Sequence, residues 1–195
     1  MGHIYFLMGK SASGKDTMAE RLLSSLPLKP IILYTTRPPR EFEQEGVEYH
    51  FTGEERLSCL EREGRVVEKR TYQTVHGPWI YATVDEGQWD FEKESYLAIG
   101  TLSSFVSYRR YFGEERVIPL YLEVEDGERL SRAMEREKKR EKPDYEEMCR
   151  RFLADQEDFS EEKLRMAGVE VRYHNQDFDS CFRELYVSIL AAKKI

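Results

Sequence analysis

A chain of 195 residues, 40% hydrophobic and 34% charged, is long enough for one α/β core beneath a highly charged surface. Its formal net charge of −7 excludes a general nucleic-acid binder, because such a surface repels a polyphosphate. Cys59, Cys149 and Cys181 stand at long spacings that fit neither a disulfide framework nor a metal motif and suit free thiols in a reducing cytoplasm. His3, His50, His76 and His174 are equally scattered and read as structural or surface residues. No stretch approaches the ~18 apolar residues of a membrane span. The first strand starts so early that no signal peptide is expected ahead of it.

Ile4-Tyr5-Phe6-Leu7-Met8 is an uninterrupted apolar run at the length of a buried strand. It leads into Gly9-Lys10-Ser11-Ala12-Ser13-Gly14-Lys15-Asp16-Thr17, which reads as a phosphate-binding loop, G-x-x-x-x-G-K. Met18, Leu22 and Leu26, with Ala19 and Leu23 beside them, then repeat at helical spacing until Pro27. Glycines let the backbone curl so that N–H groups point inward at an anion, and the helix N-terminus adds partial positive charge. Lys15 brings a mobile charge for the outer phosphates. The candidates for a nucleotide donor are therefore Gly9, Ser11, Ala12, Ser13, Gly14, Lys15, Asp16 and Thr17. One position departs from the pattern: Ser or Thr should follow the lysine, and Asp16 stands there with Thr17 one residue late.

Pro30 to Tyr34 reads as a second short strand. Thr35-Thr36-Arg37-Pro38-Pro39-Arg40 follows, where two prolines hold the chain extended. Glu41 to Glu48 is acidic and loop-like with Gly46 as a turn, and Val47, Tyr49 and Phe51 alternate as in a half-buried strand. Leu57, Leu60 and Gly64 mark a short helix and its stop. Arg65 to Tyr72 and Trp79 to Val84 are strand candidates, with His76-Gly77-Pro78 in the loop between them. Tyr96 to Gly100 reads as a buried strand, Leu102 to Phe112 as a helix and Val117 to Val124 as a strand. A charged helix starts at Asp126 and is interrupted near Pro143. A second runs from about Asp144 to Met166, then a strand from Val169 to His174 and a helix from Phe178 to Ala192. Strands alternating with helices predict a parallel sheet covered on both faces, with ligands at the carboxyl ends of its strands.

Arg37 and Arg40 put two guanidinium forks on a stiff backbone, a good clamp for a phosphate because arginine binds it bidentately and keeps its charge. Tyr49 and Tyr81 could reach the same anion. Simple pairing of these arginines with the run Glu41–Glu48 is the alternative. The whole segment, T-T-R-P-P-R-x-x-E-x-x-G-x-E-Y-x-F, resembles the GMP-binding signature of guanylate kinases. It is carried by Thr35, Thr36, Arg37, Pro39, Arg40, Glu43, Gly46, Glu48, Tyr49 and Phe51. The resemblance extends more weakly over the rest of the chain.

That resemblance implies a P-loop α/β fold: a core of residues 1–32, 90–124 and 168–195, an acceptor lobe at 33–89, and a helical lid with its following helix at 125–167. It implies transfer of the γ-phosphate of ATP to GMP, with Mg²⁺ accompanying ATP. Arg37, Arg40, Tyr49 and Tyr81 would hold the GMP phosphate, while Glu68 and Thr83 would contact guanine. Asn175 would lie near the donor's adenine. Lys15, Arg37, Arg132, Arg136 and Arg151 would stabilise the transferring phosphoryl group, and Asp16 or Thr17 would serve the metal. Helical spacing puts Arg129, Arg132 and Arg136 on one face, although pairs such as Glu128–Arg132 could make that helix merely a solvated one.

Three departures stand out. Leu33 replaces a serine that touches the guanine carbonyl, and Ala98 and Gly100 replace two aspartates. Asp16 therefore reads as a carboxylate moved from the strand end to the loop, and Asp16→Ser with Gly100→Asp is expected to restore part of the Mg²⁺ dependence. Rival readings are a ribose-bisphosphate kinase on the same scaffold and a non-catalytic guanylate-kinase-like binding module. A monomer or homodimer in the cytoplasm, without nucleic-acid or membrane partners, completes the expectation.

Overall fold

β1 (Ile4–Met8) is apolar at every position because both of its faces are covered. It is the middle strand of a five-stranded, all-parallel sheet ordered β2-β7-β1-β8-β9. The other strands are β2 (Leu28–Pro30), β7 (Ser95–Gly100), β8 (Val117–Glu123) and β9 (Arg172–His174). The computed structural model describes residues 2–74 and 77–192. Side chains of β1 alternate between two apolar layers. Tyr5 and Leu7 meet Met18 and Leu22 of α1 (Lys15–Ser25) and Cys181, Leu185 and Ile189 of α7 (Phe178–Ala192). Ile4, Phe6 and Met8 meet Phe105 and Tyr108 of α3 (Leu102–Phe112).

A second sheet, ordered β4-β3-β6-β5, mixes parallel and antiparallel pairs. It comprises β3 (Leu33–Thr35), β4 (Tyr49–Phe51), β5 (Val66–Thr74) and β6 (Gly77–Val84). One face packs Ala82 and Val84 on Leu57 and Leu60 of α2 (Glu54–Arg62). The register sets Thr35 beside Tyr81 and Phe51, Arg70 opposite Tyr81, Tyr72 opposite Trp79, and Glu68 opposite Thr83. Strand alternation therefore gathers these residues on the other face.

Four sequence expectations are corrected. The run Pro30–Tyr34 is not one strand. Its start belongs to β2 in the large sheet and its end to β3 in the small one, and the Ile31 amide still bonds Leu97 O at 3.0 Å. Every residue of the crossing stays apolar, so the change of sheet leaves no mark in hydropathy. The helix expected over 144–166 is two, α5 (Tyr145–Asp158) and α6 (Glu161–Met166). The break lets Phe159 turn inward, 4% exposed, to stack on Tyr121 at 5.7 Å between ring centres. Gly77 and Pro78 lie in β6 rather than in a loop, and His76 lies outside the described residues. Val47, expected to open a strand, precedes β4 and is exposed.

α4 (Asp126–Lys138) and α5 meet over the guanidinium of Arg129, which is 1% exposed. It donates to Ser11 O at 3.0 Å, Asp126 Oδ1 at 2.5 Å and Asp155 Oδ2 at 3.0 Å, beneath the Phe152 ring at 4.8 Å. Arg129 therefore points into the protein, not toward an open phosphate face. Breaking a buried ion network by removing one partner strands the other charges, so Arg129→Ala is expected to cost about 3 kcal/mol of stability. Urea unfolding should show a lower midpoint at constant slope. A parental midpoint would mean that the network contributes nothing net.

Candidate active site

Where β1 ends, the backbone passes so close to β8 that a Cβ on Gly9 would stand 2.5 Å from Leu122 O. The loop then winds through left-handed conformations at Ala12 (φ 62°) and Gly14 (φ 86°) before α1 begins. At Gly14 a Cβ would also lie 2.7 Å from Asn175 Nδ2. Asn175 is itself buried and donates from Nδ2 to Ser13 O at 2.8 Å. Standing just past β9, it braces the loop from beneath. Lys15 Nζ curls back to Gly9 O at 2.7 Å and Lys10 O at 3.0 Å. Burial pushes its pKa down to about 8, against the attraction of Asp16 and Asp155.

The outer arm of the loop is held by the helices. Asp155 Oδ2 accepts from the Ser11 amide at 2.7 Å, and Lys10 Nζ donates to Gln156 Oε1 at 2.5 Å. Arg132 spans Glu128 Oε1 (2.8 Å) and Asn175 O (3.2 Å). Arg136 and Arg151 are both exposed and line one small crevice with Ser11. Asp16 and Thr17 are exposed in the first turn of α1, and Asp16, not Thr17, lines the main cleft.

On the small sheet, Arg37 is 4% exposed and fully oriented. It donates from Nε to Tyr81 Oη at 3.2 Å, from Nη1 to Pro38 O at 2.9 Å and from Nη2 to Glu43 Oε1 at 2.7 Å. The Tyr49 ring lies 5.3 Å from its Cζ and 5.6 Å from the Tyr81 ring. The hydrogen bond from Arg37 holds the Glu43 carboxyl below its ordinary range. Glu43 also accepts from the Arg40 amide at 2.8 Å, Glu45 from the Phe51 amide at 2.8 Å and Glu48 from the Gln44 amide at 2.7 Å. The acidic run thus ties the loop's own amides, and Arg40 is left with an exposed side chain.

Glu68 is 7% exposed and lies between β5, β6 and α3. Its Oε1 accepts from Thr83 Oγ1 and Arg70 Nη2, each at 3.3 Å, and its Oε2 from Ser104 Oγ at 3.1 Å. Thr83 Oγ1 also meets Tyr108 Oη at 2.7 Å. Arg70, Tyr72 and Trp79 line the cleft and were missed in the sequence. Alternation with Glu68 along β5 was the signal for the first two. Leu33 lines the same cleft. Gly100 does as well, but a Cβ there would lie 2.7 Å from Phe6 Cζ and 3.2 Å from Ser104 Cβ. The expected rescue by Gly100→Asp is thereby overturned, because the Phe6 ring fills the space.

A single cleft of about 560 Å³ joins the two halves. Gly9, Ser11, Lys15 and Asp16 line it on the loop side, and Tyr49, Arg70, Tyr72 and Tyr81 on the small-sheet side. Residues 1–86 match the family model described as guanylate kinase. Over the whole chain the structure superposes on the crystal structure of guanylate kinase from Anaplasma phagocytophilum with a TM-score of 0.64 at 21% identity, covering 87% of that chain. This is a guanylate kinase fold. In sequence, the guanylate kinase of Neisseria gonorrhoeae is 38% identical over 87 residues, 44% of this chain and 40% of its own length. That of Anaeromyxobacter dehalogenans is 38% identical over 108 residues, 53% of this chain and 42% of its own. The chain thus spans about two fifths of the length of the curated relatives it matches. Both the P-loop and the acceptor signature of the guanylate kinase family fall inside the matched 1–86.

An anion laid against Lys15 favours its charged form and raises its pKa from about 8. Above pH 8, binding must therefore take up a proton, whereas just below it need not. Affinity for a nucleoside triphosphate should fall as pH rises through this range, approaching about tenfold per unit. Calorimetry near pH 9 in buffers of different ionisation heat should show proton uptake that Lys15→Met removes. Flat affinity and no uptake would separate Lys15 from the phosphates.

Proposed function

We propose that this protein is an ATP:GMP phosphotransferase. What supports this most directly is the single cleft with a glycine-rich loop and Lys15 at one side and Tyr49 and Tyr81 at the other, Arg37 being held against both tyrosines. A loop of this kind suits the β- and γ-phosphates of a donor. Arg37, pre-oriented by Glu43 and Pro38 O, keeps further N–H groups for an incoming monophosphate, joined by Arg40 and the hydroxyls of Tyr49 and Tyr81. Placed in line, the two substrates need little covalent help. Lys15, with Arg132, Arg136 and Arg151 from the lid at 125–167, compensates charge on the transferring group. Residues 33–89 act as the acceptor lobe and the remainder as the core.

Among the described residues no cluster of His, Cys, Asp and Glu forms a metal cage. The donor set nonetheless fits Mg²⁺ brought in on ATP, since one carboxylate beside phosphate oxygens and waters is sufficient. Asp16 would hold it, with Thr17 one residue further along α1; the ion would supply charge neutralisation of the phosphates. No helix among the described residues is long and apolar enough to cross a membrane. A cytoplasmic setting, where both nucleotides occur, suits the reading.

A sugar-bisphosphate acceptor is the second reading, favoured by Leu33 and by the guanidinium of Arg70 in the cleft. ADP release measured over GMP, other monophosphates and a ribose bisphosphate decides between them. Efficient turnover with GMP that Lys15→Ala abolishes is expected. No ADP release with any acceptor would leave a binding module.

For the metal, Asp16→Asn should raise the Mg²⁺ concentration for half-maximal activity and weaken Mn²⁺ binding to the ATP complex, read by paramagnetic resonance. Thr17→Ala should change neither. The reverse pattern would move the role to Thr17.

A further inference from the structure

On the small-sheet face, Glu68 and Arg70 form an ion pair in which Arg70 Nη2 donates to Glu68 Oε1 at 3.3 Å, while Nε lies 3.1 Å from Oε2 without making a hydrogen bond. The two play unequal parts. Glu68 already accepts from Thr83 and Ser104 as well. A carboxylate offers about four lone-pair sites, so these partners leave it room for roughly one more donor. It does not line the cleft; Arg70 does. The Arg70 side chain is 23% exposed, and its Nη1 makes no hydrogen bond among the described residues. Leu33, also lining the cleft, has no polar atom to offer a base.

We propose that Glu68 and Arg70 read the acceptor's base as a unit, with Glu68 accepting from N1–H and Arg70 donating to the neighbouring 6-carbonyl oxygen. This rests on the GMP reading above. The pair presents an acceptor next to a donor, the complement of guanine, which offers N1–H beside O6. Adenine offers the opposite order at these two atoms, an unprotonated N1 beside an amino group. Arginine is well suited to a carbonyl acceptor because its planar fork keeps N–H groups free on one edge while the other is engaged. With Glu68 nearly saturated, the 2-amino group carries little of the recognition. Inosine monophosphate, which keeps N1–H and O6 and lacks that amine, should therefore serve as an acceptor within about tenfold of GMP.

The test compares parent, Arg70→Lys and Arg70→Ala with GMP and with 6-thioguanosine monophosphate, which keeps N1–H and the 2-amino group but replaces the carbonyl oxygen by sulfur, a weak acceptor. kcat/KM is read at saturating ATP, together with the KM for ATP. In Arg70→Ala the value for GMP should fall by about 10- to 100-fold, while the value for the 6-thio acceptor changes by less than about threefold. The KM for ATP should hold. A purely structural role for Arg70, neutralising Glu68, would lower both acceptors alike and overturns the proposal. Should Arg70→Ala fail to fold, Arg70→Lys keeps the charge and loses the fork. A fall in its GMP to 6-thio-GMP ratio of about fivefold or more supports the reading, and an unchanged ratio overturns it. If the parent turns over a sugar bisphosphate and no purine monophosphate, the GMP reading fails first and this inference with it. Parental GMP turnover with an unaltered acceptor ratio sinks this inference alone.

Discussion

Because the Arg129 guanidinium has no route to water, its charge must be balanced inside the protein, and the way it is balanced shapes the phosphate-binding loop. Arg129 takes Ser11 O while Asp155, its ion partner, takes the Ser11 amide. Both backbone groups of one loop residue are thus committed to α4 and α5. The first half of the loop is pinned, and the inward-facing amides toward Gly14 and α1 are left for an anion. Swinging α4 and α5 away together would break both hydrogen bonds to Ser11, each worth about 1 kcal/mol net. Arg136 and Arg151, exposed beside Ser11, take no part in this anchor.

The acceptor face is built on the same economy of charge. Carboxylates beside Arg37 and Arg40 would repel an anion, yet Glu43, Glu45 and Glu48 spend lone pairs on the amides of Arg40, Phe51 and Gln44. Glu43 additionally fixes Arg37 through Nη2. The negative charge is thus consumed in orienting the fork rather than in repelling the ligand. The Tyr49 ring, 5.3 Å from the Arg37 Cζ, shields part of the guanidinium from water, which strengthens whatever the free N–H groups meet.

The parts legible in the sequence were those set by local chemistry. β1, the loop, and helices α3 and α7 follow from apolar periodicity, glycine placement and proline, and the paired motifs at Gly9–Lys15 and Thr35–Phe51 mark the two halves of the cleft. What was illegible depended on distant volume or on a partner element. Nothing in Ile31-Ile32 says that the chain leaves one sheet for another. Phe159 ends a helix because a slot beside Tyr121 awaits it. Asn175, placed by resemblance near the donor base, also donates to Ser13 O, a contact that no local pattern announces. Arg70 was within reach, since it alternates with Glu68 and Tyr72 on a strand already assigned. It went unread because no motif included it.

Gly100 shows how packing redistributes charge around a site. The space a side chain would need there belongs to Phe6, whose ring stacks obliquely on Phe105 at 5.6 Å and meets the edge of Tyr108 at 4.8 Å. Ala98, its neighbour along β7, is buried against the same cluster. An ionised carboxylate placed among those rings would carry a desolvation penalty with no partner to offset it. The strand end is therefore apolar by construction, and negative charge facing the phosphate loop has to come from the other side. Asp16, in the first turn of α1, and Asp155, on α5, supply it: both line the cleft, and both act on the charge of Lys15. One is exposed at the cleft and available to a cation; the other is bound to Ser11 and Arg129 and serves the scaffold. The aromatic filling of β7 and the aspartate that breaks the loop motif are thus two sides of one arrangement.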